Sequence, residues 1–139
     1  MKALPILVVD DNEFIRASMV KFLEAHGHSV IGTGHAQNAM EILKTQDIAM
    51  VITDVLMPDT DGYELVNFIR SSNDLGESMP IIAISGGGRS MNADTVLNSL
   101  EENVNFILKK PFSKKDLLDN VSKLIEKAQN NNQKGEQAL

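Results

Sequence analysis

The stretch Ile6-Leu7-Val8-Val9-Asp10-Asp11 decides the architecture: four consecutive apolar residues, mostly branched, end abruptly in two carboxylates. A short continuous apolar run of this kind fits a strand buried on both faces, as strands of a parallel sheet are. The pattern recurs at Met50-Val51-Ile52-Thr53-Asp54, and Lys110 stands at the end of a further run, before Pro111. In an open parallel α/β sheet the carboxyl ends of the strands share one edge, and ligands bind in the crevice beyond it. Asp10, Asp11, Asp54 and Lys110 are therefore expected to meet there. Three gathered carboxylates repel one another, so they need a cation among them or raised pKa values. A divalent metal is the simpler solution.

Between these anchors, apolar runs alternate with segments of helical period, the pattern of successive βαβ units. Strands are predicted near residues 6–9, 29–32, 49–53, 81–84 and 106–108. Ile15, Met19, Phe22 and Leu23 recur at helical spacing, with Asp11 or Asn12 to cap the start and Gly27 to stop the end. Shorter helices are predicted over 36–44, 64–71 and 93–101. In the last helix Leu117, Val121, Leu124, Ile125 and Ala128 form one stripe, and Ser113 with Asp116 resembles a capping box. Residues 129–139 offer almost nothing apolar to dock and are expected to be a disordered tail behind a domain spanning 1–128.

The chain is similar to the CheY-like response-regulator receiver domains of two-component signal transduction. Asp10-Asp11, Asp54-Val55-Leu56-Met57-Pro58 with Gly62, Ser85-Gly86 and Lys110-Pro111-Phe112 carry the resemblance, which extends over roughly residues 4–127. It implies a flavodoxin-like (βα)5 fold, a doubly wound five-stranded parallel sheet of strand order 2-1-3-4-5. It also implies a single-domain phospho-acceptor switch rather than an enzyme, one that catalyses only its own phosphorylation and dephosphorylation. Asp54 would take a phosphoryl group from a sensor histidine kinase or histidine phosphotransfer protein. Asp11 would bind Mg²⁺ directly, Asp10 through water and Leu56 through its carbonyl. Lys110 would pair with the phosphate, and Ser85 would hydrogen-bond one of its oxygens. A downstream protein, unidentified, would read the surface formed by residues 93–101 and the last strand and helix.

Elementary chemistry agrees with these roles. A carboxylate that accepts a phosphoryl group must be ionised, open and close to a cation. Magnesium takes octahedral oxygen ligands at about 2.0–2.1 Å and keeps several waters, so a few carboxylates and one carbonyl suffice. Two departures from the family pattern stand out. Many receivers carry an aromatic residue three positions before the lysine, where Ile107 stands here, with Phe106 one place earlier; and the hydroxyl residue is Ser85 rather than the commoner Thr. The resemblance implies that Leu56 and Gly87 occupy the positions from which a side chain could orient an attacking water, and neither can do so. A long-lived phosphorylated state is expected.

Taken singly, each motif has an ordinary reading: an Asp pair after a strand often caps a helix, and lysines before prolines are common on surfaces. Competing motifs fail on detail. Asp59-Thr60-Asp61-Gly62 would need carboxylates where Met57 and Phe68 stand to be a calcium loop. Gly32-Thr33-Gly34 lacks the third glycine of a dinucleotide fingerprint, and Gly86-Gly87-Gly88-Arg89 lacks the Gly-Lys-Ser/Thr ending of a P-loop. His26, His28 and His35 read as surface or loop residues, and most methionines as core filling. The competing hypotheses are a degenerate receiver acting as a phosphorylation-independent interaction module and a flavin-type enzyme on the same topology. Intact acidic residues oppose the first; one Tyr and no Trp leave the second little to stack on a flavin ring.

Composition bounds the rest. With 139 residues, 42% hydrophobic and 23% charged, the chain suits one ordinary globular domain. It has no cysteine, hence no disulfide or thiolate metal site. A formal net charge of -6 without a basic face argues against nucleic acid. No run approaches a membrane span or a secretory signal, so a cytoplasmic location without membrane contact is expected.

Overall fold

The computed structural model describes residues 4–55, 62–76, 78–85 and 102–137, without the side chains of 129–137. Five strands, β1 (Ile6–Val9), β2 (Val30–Thr33), β3 (Met50–Asp54), β4 (Ile81–Ser85) and β5 (Phe106–Lys109), form one sheet in the order β2-β1-β3-β4-β5. All pairs are parallel, with Ile6 opposite both Val30 and Met50. Ile82 pairs with Phe106 at the other side. Four helices lie among the described residues: α1 (Glu13–Ala25), α2 (Ala36–Thr45), α3 (Gly62–Ser71) and α4 (Lys114–Gln137).

The alternation of strand side chains builds two cores, one on each face. Leu7, Val9, Val51, Ile81 and Ala83 meet Ala39 and Leu43 of α2 and Leu65, Val66 and Ile69 of α3. Ile6, Val8, Met50, Ile52, Ile82 and Ile84 meet Met19 and Leu23 of α1 and Leu117, Val121 and Leu124 of α4. Strands β1, β3 and β4 are buried throughout. This is why they read as unbroken apolar runs and why they must end in polar residues where the sheet meets solvent.

Local signals decide the element ends. Asn12, rather than Asp11, caps α1 by accepting from the Ile15 amide at 3.1 Å. Gly27 follows the helix at φ 90°, a conformation that suits a residue without Cβ. Ser113 Oγ accepts from the Asp116 amide at 3.0 Å and caps α4. One expectation is corrected: Ala128, placed on the apolar stripe, is exposed. From 129 the backbone runs on as helix to Gln137. A helix nucleated on a docked face adds one hydrogen bond for each further residue fixed. The predicted helix over 93–101 lies outside the described residues. Among the described residues, no helix is long and apolar enough to cross a membrane.

Candidate functional site: an acidic cluster at the carboxyl edge of the sheet

Strands β1 and β3 lie side by side, with Val9 opposite Thr53, so the residues that follow each emerge together. One carboxylate oxygen from each of Asp10, Asp11 and Asp54 lies within 4.8 Å of the other two. Asp10 is fully buried and Asp54 nearly so, whereas Asp11 is exposed at the mouth. The Asp10 backbone amide donates to Thr33 O at 3.1 Å, and the Asn12 amide donates to Asp10 Oδ1 at 2.9 Å.

Lys110 reaches the cluster from the end of β5, because its own amide donates to Ser85 O at 2.7 Å and extends the β4–β5 ladder. Its Nζ lies 3.1 Å from Asp54 Oδ2 and 3.7 Å from Asp10 Oδ2. Ser85 ends β4 with its side chain buried at the same edge. Gly62 opens α3 directly against the end of β3: a Cβ there would collide with the Asp54 carbonyl oxygen and lie 2.9 Å from Val55 Cα. The missing side chain lets the helix start against the end of β3.

The electrostatics are unfinished. Burial, the largest cause, holds the Asp10 carboxyl above the usual carboxylate range, aided by Asp54 and Asp11; the Asn12 amide and Lys110 pull the other way. Among the described residues, the buried atoms Asp10 Oδ2 and Ser85 Oγ have no hydrogen-bond partner. A buried polar atom without a partner normally costs about 1–3 kcal/mol, so two at one site point to something else that binds there. Clustered carboxylate oxygens around an orphaned acceptor fit a hard divalent cation such as Mg²⁺. The orphaned hydroxyl, a donor, fits an incoming oxyanion.

The structure thus brings together Asp10, Asp11, Asp54, Lys110 and Ser85. Leu56, Gly86, Gly87 and the segment 57–61 lie outside the described residues. The two departures resolve differently. Ile107 packs on the α2–α3 side of the sheet and Phe106 on the α1–α4 side, so Phe106 does not stand in for the aromatic residue expected at 107. Ser85 carries a buried hydroxyl at the end of β4, without a methyl group. The three histidines are exposed or half-buried, as read. One residue was missed. Arg16 donates from Nη1 to the Asp10 carbonyl at 2.8 Å, and the signal that could have found it is the pair Gly32 and Gly34, whose absent side chains make room for it.

Comparison with known proteins follows this geometry. The sequence profile of the response regulator receiver domain matches residues 6–122. The chain is 35% identical over 124 residues to the transcriptional regulatory protein GltR of Pseudomonas aeruginosa, covering 89% of this chain and 50% of that protein. It is 32% identical over 124 residues to a chemotaxis protein CheY homolog of Campylobacter jejuni, covering 88% of this chain and 92% of that one. Against the CAI-1 autoinducer sensor kinase/phosphatase CqsS of Vibrio cholerae it spans 17% of the relative's length. The structure superposes on the receiver domain of a signal transduction histidine kinase from Syntrophus aciditrophicus with a TM-score of 0.79 at 26% identity, covering 89% and 91% of the two chains. Sequence, sheet order and acidic edge agree: this chain belongs to the response regulator receiver domain family.

Proposed function

We propose that the chain is a cytoplasmic response regulator receiver that accepts a phosphoryl group on Asp54 from a histidine kinase or histidine phosphotransfer protein, requires Mg²⁺, and signals by binding a partner protein. The observation that carries this reading is the incomplete charge and hydrogen-bond balance around Asp54: three carboxylates within 4.8 Å, one lysine at 3.1 Å, and a buried hydroxyl without a partner. Each deficiency matches one part of a phosphoryl transfer.

The Asp54 carboxylate, held at a strand end, would attack phosphorus as the phosphorus–nitrogen bond to the donor imidazole breaks. The imidazole leaves with the bonding electron pair and takes up a proton. Lys110 Nζ, already beside Asp54 Oδ2, would shift its charge toward the new phosphoryl oxygens, and Ser85 Oγ–H would donate to one of them. Asp10, Asp11 and Asp54 would hold Mg²⁺, which when bound neutralises charge on both acceptor and phosphate. The Leu56 carbonyl is the further ligand implied by family resemblance. The modification adds roughly two negative charges, enough to bias the contacts of Ser85 and Lys110 and so the surface read by a partner.

Incubation with acetyl phosphate and Mg²⁺ followed by intact mass tests the proposal. Wild type should gain one phosphoryl group, and Asp54→Asn, Asp11→Ala or EDTA should each abolish the gain. Full labelling of either variant would reject the assignment; no labelling of wild type would favour a phosphorylation-independent interaction module.

A further inference from the structure

Arg16, at the end of the first turn of α1, lies in a slot over the end of β2. Its Nη1 donates to the Asp10 carbonyl at 2.8 Å. A Cβ on Gly34 would stand 2.8 Å from that same Nη1, and a Cβ on Gly32 would stand 3.4 Å from Arg16 Cγ and 3.2 Å from Val20 Cγ2. Neither glycine has positive φ; among the described residues only Gly27 and Gly76 do. Gly32 and Gly34 therefore serve by leaving space rather than by bending the chain, and the space is filled by one guanidinium.

The carbonyl that Arg16 binds belongs to the peptide joining Asp10 to Asp11. Rotation of that peptide would swing the Asp11 backbone and its carboxylate. Asp11 is exposed, so packing does little to fix it, and repulsion from Asp10 and Asp54 pushes it away from the cluster. Asp10 itself is pinned by the Thr33 ladder bond and by the Asn12 amide on its carboxylate. The Asp10–Asp11 peptide plane is the backbone freedom that would carry Asp11 away, and the charge-assisted bond from Arg16 restrains it. We propose that Arg16, seated in the Gly32–Gly34 slot, is a positioning residue that holds Asp11 in place for a divalent cation. The proposal rests on the metal-site reading above and adds a residue that touches neither cation nor phosphate.

Mg²⁺ titration of the unphosphorylated full chain, by calorimetry and amide NMR, tests it. Arg16→Ala should weaken Mg²⁺ about tenfold, the scale expected when an outer hydrogen-bond partner of a ligand is lost. Gly34→Ala, which removes no polar group but displaces Nη1, should weaken it in the same direction. In the Arg16→Ala background Gly34→Ala should add nothing, and Arg16→Lys, which keeps a donor, should recover part of the affinity. Urea unfolding without Mg²⁺ gives each variant's stability separately, and Gly34→Ala with Arg16→Lys carry the test if Arg16→Ala does not fold. Unchanged Mg²⁺ affinity in Arg16→Ala, or equal losses from Gly34→Ala with and without Arg16, would overturn the proposal. If wild type shows no Mg²⁺ response that Asp11→Ala removes, the metal reading itself has failed, and the role of Arg16 with it.

Discussion

The two ends of this sheet handle polar groups in opposite ways. At the end where β4 begins, Arg70 donates to the carbonyls of Asn103, Gly76 and Met79 at 2.7, 3.0 and 2.8 Å. Beside it, Asn105 accepts from the Ile81 amide at 2.8 Å and returns its own amide to the Ile81 carbonyl at the same distance. Donors and acceptors there are matched within the chain. At the carboxyl end, three carboxylates crowd one lysine and two buried oxygens have no hydrogen-bond partner among the described residues. The first arrangement is completed within the chain. The second leaves interaction energy for a ligand to supply, at a standing cost to the unliganded fold.

The largest effect that could break this contrast is at the matched end. Arg70→Ala leaves three half-buried carbonyls without their donor and should lower urea-unfolding stability by about 3 kcal/mol, the upper range for losing a charged hydrogen-bond partner. Mg²⁺ affinity of the folded fraction should not change. Loss of metal affinity in step with stability would show that the two ends are not separable.

A smaller effect sharpens the other side. A cation that binds only the folded state stabilises it by mass action, by about 1.4 kcal/mol when Mg²⁺ is ten times its Kd. Thermal unfolding with and without Mg²⁺ should show this gain in wild type and in Arg70→Ala, and none in Asp11→Ala. An equal gain in Asp11→Ala would place the cation elsewhere.

The smallest effect concerns Asp10 alone, where Lys110 and the Asn12 amide offset part of the penalty. Its carboxyl is held above its ordinary value of 3.8 chiefly by burial. Between that value and the raised one the native state keeps a proton that the unfolded chain has released, so metal-free stability should fall as pH rises through this window. Asp10→Asn retains an acceptor for the Asn12 amide and removes the charge. In EDTA at neutral pH it should unfold at a higher temperature than wild type, without the contribution of Asp10 to the pH slope. A lower midpoint would mean that the carboxylate is well accommodated without a cation.

Sequence alone carried the reading far where burial imposes a pattern. Strands β1, β3 and β4 are apolar on both faces, so their runs and their polar stops are visible without any partner. The acidic site is legible for the same reason, since each residue marks the end of a strand. Arg16 was not legible, because its role depends on two absent side chains in a neighbouring strand, and Gly32-Thr33-Gly34 was weighed as a nucleotide motif instead. The helical backbone past Ala128 has no apolar pattern in the sequence to announce it. Phe106 shows the limit of counting along a strand: one position moves a side chain to the opposite face.

Strand order also differs from the order in which the chain is made. The N-terminal strand β1 becomes an interior strand, flanked by β2 and β3, so one of its edges waits until residues 50–54 have been synthesised. The acidic residues arrive with β1 and β3, whereas Lys110 follows β5, the last strand of all. A nascent chain that has formed β1 to β4 therefore holds its carboxylates together before their lysine exists. Docking of β5 covers the free edge of β4 and delivers that counter-charge in one event, which couples the last strand pairing to completion of the site.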